Sequence, residues 1–362
     1  MSLNPAREME PVDRSWNLDD VPVGGSEDFW LPMGESYTGI RLQIPIRVLR
    51  GTQPGPTVGM TAALHGDEIN GTGAIRELAV PGRLKPVRGT LIMVPVLNVA
   101  SFDRHSRYLP DRRDLNRSFP GSPGGSSAAR VAHEIFRSIV RHCDYLIDLH
   151  TAAVRRTNYP QVRADMSNPT VAAMATAFGT EVIVDCTGVP GTLRREATKI
   201  GCPTIILEGG EVWKVEPTIV DVAVRGIENV LRHLNVIDGE IVQPDKQVTL
   251  TRTSWVRAEY GGFLNFHVRP GDVVTAGQPL ATNTDLLGGE LPGAEPLVSP
   301  FAGVVIGMTT IPSVAPGQPV CHIGRMRAKD ERNELRQNRK GDETLESRTV
   351  EDLSSNVRVV QP

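Results

Sequence analysis

A histidine and a glutamate lie three residues apart where a buried strand is expected to lead into a helix. The strand is predicted for the apolar run 57–64, and the pair is His65 and Glu68. At such a turn an imidazole and a carboxylate can face one ion, and both groups are common zinc ligands. The pattern His-x-x-Glu also recurs by chance. Because a catalytic zinc has three protein ligands and one position for water, the pair predicts a metal site only if a third ligand exists.

Two further chemically active side chains follow predicted strands. The apolar runs 145–149 and 204–207 are followed by His150 and Glu208. In open α/β sheets, functional sites form at the carboxyl ends of strands, so these two residues can meet the first pair. From spacing alone, two interpretations stay open. In one, the two histidines and Glu68 bind zinc and Glu208 lies outside the ligand set; in the other, all four are solvated loop residues.

The order of the apolar segments predicts the fold that would bring these residues together. Between about residues 40 and 236, runs typical of buried strands alternate with stretches that carry apolar residues at helical spacing. Predicted helices include 171–178 and a segment that begins at Pro217. Strands buried on both faces and alternating with helices are typical of an α/β domain. The predicted architecture is a mixed, mostly parallel sheet with helices on both faces.

Length and composition restrict the class of protein. The chain has 362 residues, 40% hydrophobic and 22% charged, which suits a globular protein with one large and one small domain. A net charge of -3 argues against nucleic acid or an anionic membrane as the main partner, so neither is expected. The first ten residues have no signal-peptide pattern, and the four cysteines lack metal-binding spacing. We therefore expect a cytoplasmic protein.

A third stretch of sequence links these residues to a known family. The segment 107–121 contains Asp-Leu-Asn-Arg at 114–117, which resembles a signature of the succinylglutamate desuccinylase/aspartoacylase family. That family is a branch of the zinc carboxypeptidase-like fold. The turn 65–68 and the segment Asp-Leu-His-Thr at 148–151 resemble its two other blocks, in the same order. The resemblance covers roughly residues 40–325.

The resemblance implies a role for each residue of the predicted centre. One zinc ion per chain would be bound by His65, Glu68 and His150. Glu208 would take a proton from the attacking water and return it to the leaving amine. Arg107 would stabilise the oxyanion that forms on the scissile carbonyl.

The same resemblance implies how the substrate is bound. Asn116 and Arg117 are similar to the pair that holds a substrate carboxylate, since a guanidinium can form two parallel hydrogen bonds with it. Asp114 is expected to orient the loop or a ligand. Glu211 is the alternative general base, but its position beyond the predicted strand end favours Glu208.

The predicted function is that of a zinc-dependent amidohydrolase. It would remove an acyl group from an N-acyl amino acid or a related small metabolite, with water as the nucleophile. Two alternatives stay open: a carboxypeptidase-like peptidase, and a non-catalytic zinc-binding or regulatory protein. The presence of Glu208 beside all three predicted ligands favours an enzyme. The identity of the acyl group depends on pocket residues that spacing does not locate.

A second kind of sequence occupies residues 247–325, where short apolar runs are separated by glycine turns. It resembles a lipoyl- or biotinyl-carrier fold, so a small all-β, barrel-like domain is predicted. Carrier function needs an acceptor lysine, and the sequence has no lysine between Lys246 and Lys329. The domain is instead expected to shape the substrate mouth or an oligomer interface. No pocket residue is predicted in it, and His267 and His322 are interpreted as structural or surface residues.

These observations divide the chain into four parts. Residues 1–38 are predicted to be an N-terminal arm, 39–240 the catalytic α/β domain and 247–325 the β domain. Residues 326–362 interleave basic and acidic side chains without an aromatic residue and are predicted to be disordered. The arm and the β domain offer surfaces for a homo-oligomer.

Overall fold

The computed structural model describes residues 17–328 and residue 330. Its strands are β1 (Ser26–Glu35), β2 (Arg41–Arg50), β3 (Gln53–Ala62), β4 (Arg88–Val94), β5 (Tyr145–His150), β6 (Arg156–Ala164), β7 (Val182–Asp185), β8 (Thr204–Gly210), β9 (Val248–Arg257), β10 (Gly262–Phe266), β11 (Val273–Val274), β12 (Pro279–Thr284), β13 (Leu297–Val298), β14 (Gly303–Thr309), β15 (Ser313–Val314) and β16 (Pro319–Met326). Its α-helices are α1 (Asn70–Leu78), α2 (Val99–Phe102), α3 (Ser127–Ser138), α4 (Pro169–Phe178), α5 (Leu193–Lys199) and α6 (Pro217–His233). None of these helices has the length and apolar character required to cross a membrane.

The strands and helices that lead to the predicted site residues are present. The apolar runs at 145–149 and 204–207 lie in β5 and β8, and most of the run 57–64 lies in β3, which ends at Ala62. Helix α6 begins at Pro217 as predicted. In α4 the N-cap is Asn168, whose side chain accepts hydrogen bonds from two backbone amides of the first turn. Strand β6, by contrast, is not predicted by the sequence analysis.

A single large sheet contains twelve of the described strands, in the order β1-β2-β4-β3-β5-β8-β6-β7-β9-β16-β14-β11. Parallel pairing joins β4, β3, β5 and β8 in its centre and β6, β7 and β9 farther along. The remaining neighbours are antiparallel. The prediction of a mixed α/β fold is confirmed, but the sheet as a whole is not mostly parallel. Continuous apolar runs are typical of central parallel strands and predicted these, but such runs do not give the direction in which the remaining strands pair.

Two layers of apolar side chains pack on opposite faces of the central strands. Because side chains alternate along a strand, β5 directs Ile147 and Leu149 into one layer and Leu146 into the other. Helices α1, α4 and α6 contribute to the first layer, and α3 and α5 contribute to the second. The central strands are therefore held from both sides, which fixes the positions of their carboxyl ends.

The C-terminal strands do not stand apart from the catalytic strands. β6 pairs with β14 as well as with β7, so β6, β7, β9, β16 and β14 close into a five-stranded barrel. Asn158 lies opposite Gly307, and Val182 lies opposite Val248. A second, four-stranded sheet has the order β13-β12-β10-β15. The division into domains near residues 240–247 stays a prediction.

The ends of the chain are described only in part. Strand β1, within the predicted N-terminal arm, pairs antiparallel with β2 and forms an edge of the large sheet. Residues 1–16 lie outside the described part of the chain, as do residue 329 and residues 331–362. The predicted disorder of the charged tail therefore concerns residues that are almost all outside it.

Candidate active site

Three neighbouring parallel strands carry the central residues to one edge of the sheet. Thr61 in β3 lies opposite Asp148 in β5, and His150 at the end of β5 lies opposite Glu208 in β8. His65 follows the end of β3 in a tight turn. Gly66 is needed in this turn because a Cβ there would lie 2.1 Å from the carbonyl carbon of Ser101.

The structure brings the three predicted metal ligands together. His65 Nδ1 lies 2.7 Å from one carboxylate oxygen of Glu68, and His150 Nδ1 lies 2.8 Å from the other. Each of the three residues offers one potential ligand atom, and these three atoms lie within 4.8 Å of one another. All three side chains are buried, and the backbone amide of Thr151 also donates to Glu68 at 3.0 Å.

Each imidazole is oriented by a second carboxylate. His150 Nε2 donates to Asp148 at 2.9 Å, and Asp148 in turn accepts from the hydroxyl of Thr61 at 2.6 Å. His65 Nε2 donates to Asp114 at 3.1 Å. With protons fixed on both Nε2 atoms, the two Nδ1 atoms are the ones that can bind a cation. Metal-binding histidines are oriented in this way.

The electrostatics of this buried cluster favour a positive charge. Burial opposes protonation of His150, yet the carboxylates of Asp148 and Glu68 raise its pKa well above the usual value. Burial likewise opposes ionisation of Glu68, yet the two imidazoles hold its pKa well below the usual range. Two imidazole nitrogens and a carboxylate that remains ionised are a suitable donor set for a divalent metal ion.

Arg107 lies directly beside the cluster. Its Nη1 donates to Glu68 at 3.1 Å, and its Nη2 donates to Asp114 at 3.1 Å. The guanidinium also faces a cavity of about 580 Å³ that the cluster lines. Two carboxylates therefore fix this cation at the edge of the cavity.

The predicted substrate-binding pair lies on the same cavity. Asp114 caps the short turn 115–117 by accepting from the amide of Asn116 at 2.9 Å. The side-chain oxygen of Asn116 accepts from the amide of Leu193 at 2.9 Å, which joins this turn to the start of α5. The guanidinium of Arg117 donates to the backbone oxygen of Asn116 at 2.7 Å. Both side chains line the cavity.

Glu208 is held by two residues of β6, the antiparallel neighbour of β8. Asn158 Nδ2 donates to one carboxylate oxygen at 2.9 Å, and Arg163 Nη1 lies 3.4 Å from the other. The alternative base, Glu211, forms an ion pair with Lys214 at 3.0 Å. Glu208 is the one of the two that lines the cavity beside the His–Glu–His cluster.

The sequence matches a family model over half of its length. Residues 54–234 match the succinylglutamate desuccinylase/aspartoacylase catalytic domain. The chain belongs to the succinylglutamate desuccinylase/aspartoacylase family. This confirms the resemblance inferred from the three sequence blocks.

Three similar proteins show what this chain is related to. The chain is 30% identical over 281 residues to the N-alpha-acetyl-L-2,4-diaminobutyric acid deacetylase of Halomonas elongata, covering 74% of this chain and 78% of that one. A succinylglutamate desuccinylase/aspartoacylase crystal structure from Rhodobacter sphaeroides is similar with a TM-score of 0.75 and 26% identity, over 86% of this chain and 98% of that one. The product-bound ectoine utilization protein EutE (DoeB) of Ruegeria pomeroyi is similar with a TM-score of 0.73 and 26% identity, over 84% and 98%.

Six residues with a basic, amide or aromatic side chain line the cavity of this family member and are absent from the sequence prediction. They are Arg156, Asn158, Arg163, Arg194, Trp255 and His322. His322, interpreted from the sequence as a structural or surface residue, lies on the cavity wall because the barrel carries β16 there. The cluster of arginines at 155–163, soon after the strand-end His150, is the sequence signal that could have indicated β6.

Replacing Asp148 with asparagine tests the outer carboxylates. An amide accepts the hydrogen bond from His150 less strongly, so affinity for a divalent metal should fall roughly tenfold to a hundredfold. The dissociation constant for Zn²⁺, measured by competition with a chromophoric chelator, reports this loss. Asp144→Asn is the control, since this exposed residue precedes the same strand and accepts from the amide of Thr57. Equal affinities in D148N and the unmodified protein would contradict the assignment.

Proposed function

We propose that this protein is a zinc-dependent amidohydrolase that removes an acyl group from an N-acyl amino acid or a related small metabolite. The observation that carries the proposal is one cavity that joins the His65–Glu68–His150 cluster to the carboxylate of Glu208. Its volume of about 580 Å³ is suited to a small molecule. The deacetylase of Halomonas elongata, a relative over most of both chains, supports this class of reaction.

Zinc is the metal that the donor set favours. Two imidazoles and one carboxylate are the protein ligands of many catalytic zinc sites. When bound, the ion would polarise the scissile carbonyl and lower the pKa of a water molecule to about 7. The chain's contribution is to keep Glu68 ionised, through the two imidazoles, and to keep both Nδ1 atoms turned inward, through the carboxylates of Asp114 and Asp148.

Glu208 is the proposed general base and acid. It lies opposite His150 in the sheet, so its carboxylate is beside the cluster and faces the same cavity. It would take a proton from the attacking water and deliver it to the nitrogen of the leaving amine. Asn158 and Arg163 restrict its orientation by binding one carboxylate oxygen each.

Arg107 is the proposed oxyanion donor. Its contacts with Glu68 and Asp114 hold the guanidinium in place before the substrate binds, so no reorganisation is needed as charge develops on the carbonyl oxygen. A donor arranged in this way stabilises a transition state by about 3 kcal/mol. Asn116 and Arg117 are the proposed clamp for a substrate carboxylate, on the turn 115–117 that a hydrogen bond joins to the start of α5.

Metal content tests the cluster. The purified protein should contain about one zinc per chain, and His150→Ala should lose it, since removing one of three ligands leaves an incomplete site. Elemental analysis after dialysis gives the stoichiometry. His233→Ala, a change at an exposed histidine near the end of α6, should keep the metal. Retention of zinc in both variants would show that His150 is not a ligand.

Glu208→Gln tests the base. The amide keeps the size of the side chain but cannot take a proton, so kcat for amine release from an N-acyl amino acid should fall by about 10² or more. Zinc content should not change. The matched variant is Glu211→Gln, which alters the rival glutamate and should retain activity. A stronger loss of kcat in E211Q than in E208Q would reverse the assignment.

Gly307→Ala tests how Glu208 is positioned. A Cβ at Gly307 would lie 2.6 Å from Oδ1 of Asn158, so this side chain must move away from the carboxylate that it holds. Losing a hydrogen bond to a charged group should lower kcat about tenfold or more without loss of zinc. Gly261→Ala, where the nearest atoms lie at an ordinary 3.5 Å, is the control. Unchanged kcat in G307A would show that Asn158 does not position the base.

A further inference from the structure

The loop that carries Arg107 lies at the surface. Helix α2 ends at Phe102, and residues 103–105 of the loop 103–107 are exposed. A backbone contact joins this loop to the turn 65–68, since the amide of Gly66 donates to the carbonyl oxygen of Ser106 at 3.0 Å. Movement of the loop would therefore displace the backbone from which Arg107 extends.

Trp213 joins the same loop to the same turn. It lies in the segment 211–216, between the end of β8 and the start of α6. Its backbone amide donates to the carbonyl oxygen of Asp67 at 2.9 Å, and its indole Nε1 donates to the carbonyl oxygen of His105 at 3.0 Å. One residue, through its main chain and its ring, therefore connects the metal-ligand turn to the loop that carries Arg107.

The backbone on both sides of this contact is in an unfavourable conformation. Trp213 has a φ of 61° and His105 a φ of 46°, both in the left-handed region that favours glycine. A bulky residue keeps such a conformation only where its surroundings require it, and residues of this kind cluster at functional sites. Trp213 is 55% exposed, so the burial of apolar surface does not account for its placement. The two hydrogen bonds are what this conformation provides.

The segment 211–216 gives Trp213 a rigid support. Asn70, the buried first residue of α1, donates to the carboxylate of Glu216 at 2.8 Å and accepts from the amide of Glu216 at 2.7 Å. The same carboxylate accepts from the amide of Glu211 at 2.8 Å. Both ends of the segment are thus fixed to α1, and this support does not depend on the loop 103–107.

We propose that Trp213 is a positioning residue, which holds the loop 103–107 against the metal-ligand turn and so keeps Arg107 where the oxyanion develops. This inference rests on the proposed function, since it extends the role of Arg107. The contacts with Glu68 and Asp114 fix the guanidinium, whereas Trp213 fixes the backbone that carries it. Trp213 is not among the described residues that line the cavity, so a change there reaches the substrate only through other residues.

Trp213→Phe removes the indole donor and keeps an aromatic ring. With N-acetyl-L-glutamate and Nα-acetyl-L-2,4-diaminobutyrate as probes, kcat should fall about fivefold, because the lost hydrogen bond helps to arrange a contact made in the transition state. KM should change by less than about twofold, since binding of the ground state is assigned to Asn116 and Arg117. Zinc content should not change.

Trp30→Phe, at an exposed tryptophan of β1, is the matched control and should alter neither constant. An unchanged kcat in W213F, or a higher KM at unchanged kcat, would contradict the positioning role.

A second variant, Arg107→Gln, decides whether the effect passes through Arg107. Without the guanidinium there is no oxyanion donor left to position, so adding W213F to R107Q should lower kcat by less than about twofold. Equal fold losses of kcat from W213F in both backgrounds would show that Trp213 acts through another group and would overturn the proposal.

Amide hydrogen exchange tests the contact without relying on turnover. In W213F the amides of residues 103–108 and of Gly66 should exchange about fivefold faster, because local opening of the loop costs less free energy. In W30F they should exchange as in the unmodified protein. Unchanged exchange in W213F would overturn the proposal. Faster exchange in W213F, with no hydrolysis of either probe by the unmodified protein, would instead contradict the proposed function and leave the hold of Trp213 on the loop standing.

Discussion

The carboxylate of Glu68 is buried, and this single charge determines the arrangement around it. A buried carboxylate without partners would become protonated, because desolvation favours the neutral acid. Here two imidazoles, the guanidinium of Arg107 and a backbone amide keep it ionised. The imidazoles then need carboxylates of their own, which Asp114 and Asp148 provide. The result is an alternating network of charges that matches the requirements of a metal ion.

The fold holds the residues of this network in place through adjacent strands of the sheet. β3, β5 and β8 are adjacent and parallel, and apolar layers hold them from both faces. The sheet therefore fixes the positions of the residues at their carboxyl ends. The turn at Gly66 positions His65, and the segment around Asp114 supplies the carboxylate that binds this histidine. A site on rigid elements can hold charged groups at fixed distances before substrate binds, which is the condition for electrostatic catalysis.

Strand β6 connects this centre to the C-terminal barrel. One of its edges pairs with β8, next to Glu208, and it also pairs with β14 and β7. Its side chains hold the proposed base and present Arg156 to the cavity. The barrel then adds Trp255 and His322 as a wall. In this arrangement the proposed catalytic residues lie in the α/β part, and the C-terminal strands form part of the cavity wall.

The sequence by itself determined the α/β core, the strand ends at His65, His150 and Glu208, and the family, because apolar runs and short chemical motifs are local properties of a chain. It did not reveal β6, whose residues are largely polar and include Pro160. It predicted a barrel-like C-terminal domain but did not reveal that the barrel includes β6 and β7, since pairings such as Asn158 with Gly307 join residues far apart in the chain. Only the tertiary structure brought Arg156, Trp255 and His322 to one wall. Their placement depends on hydrogen bonds between strands that are distant in the chain, and such pairing leaves no periodic pattern in either segment.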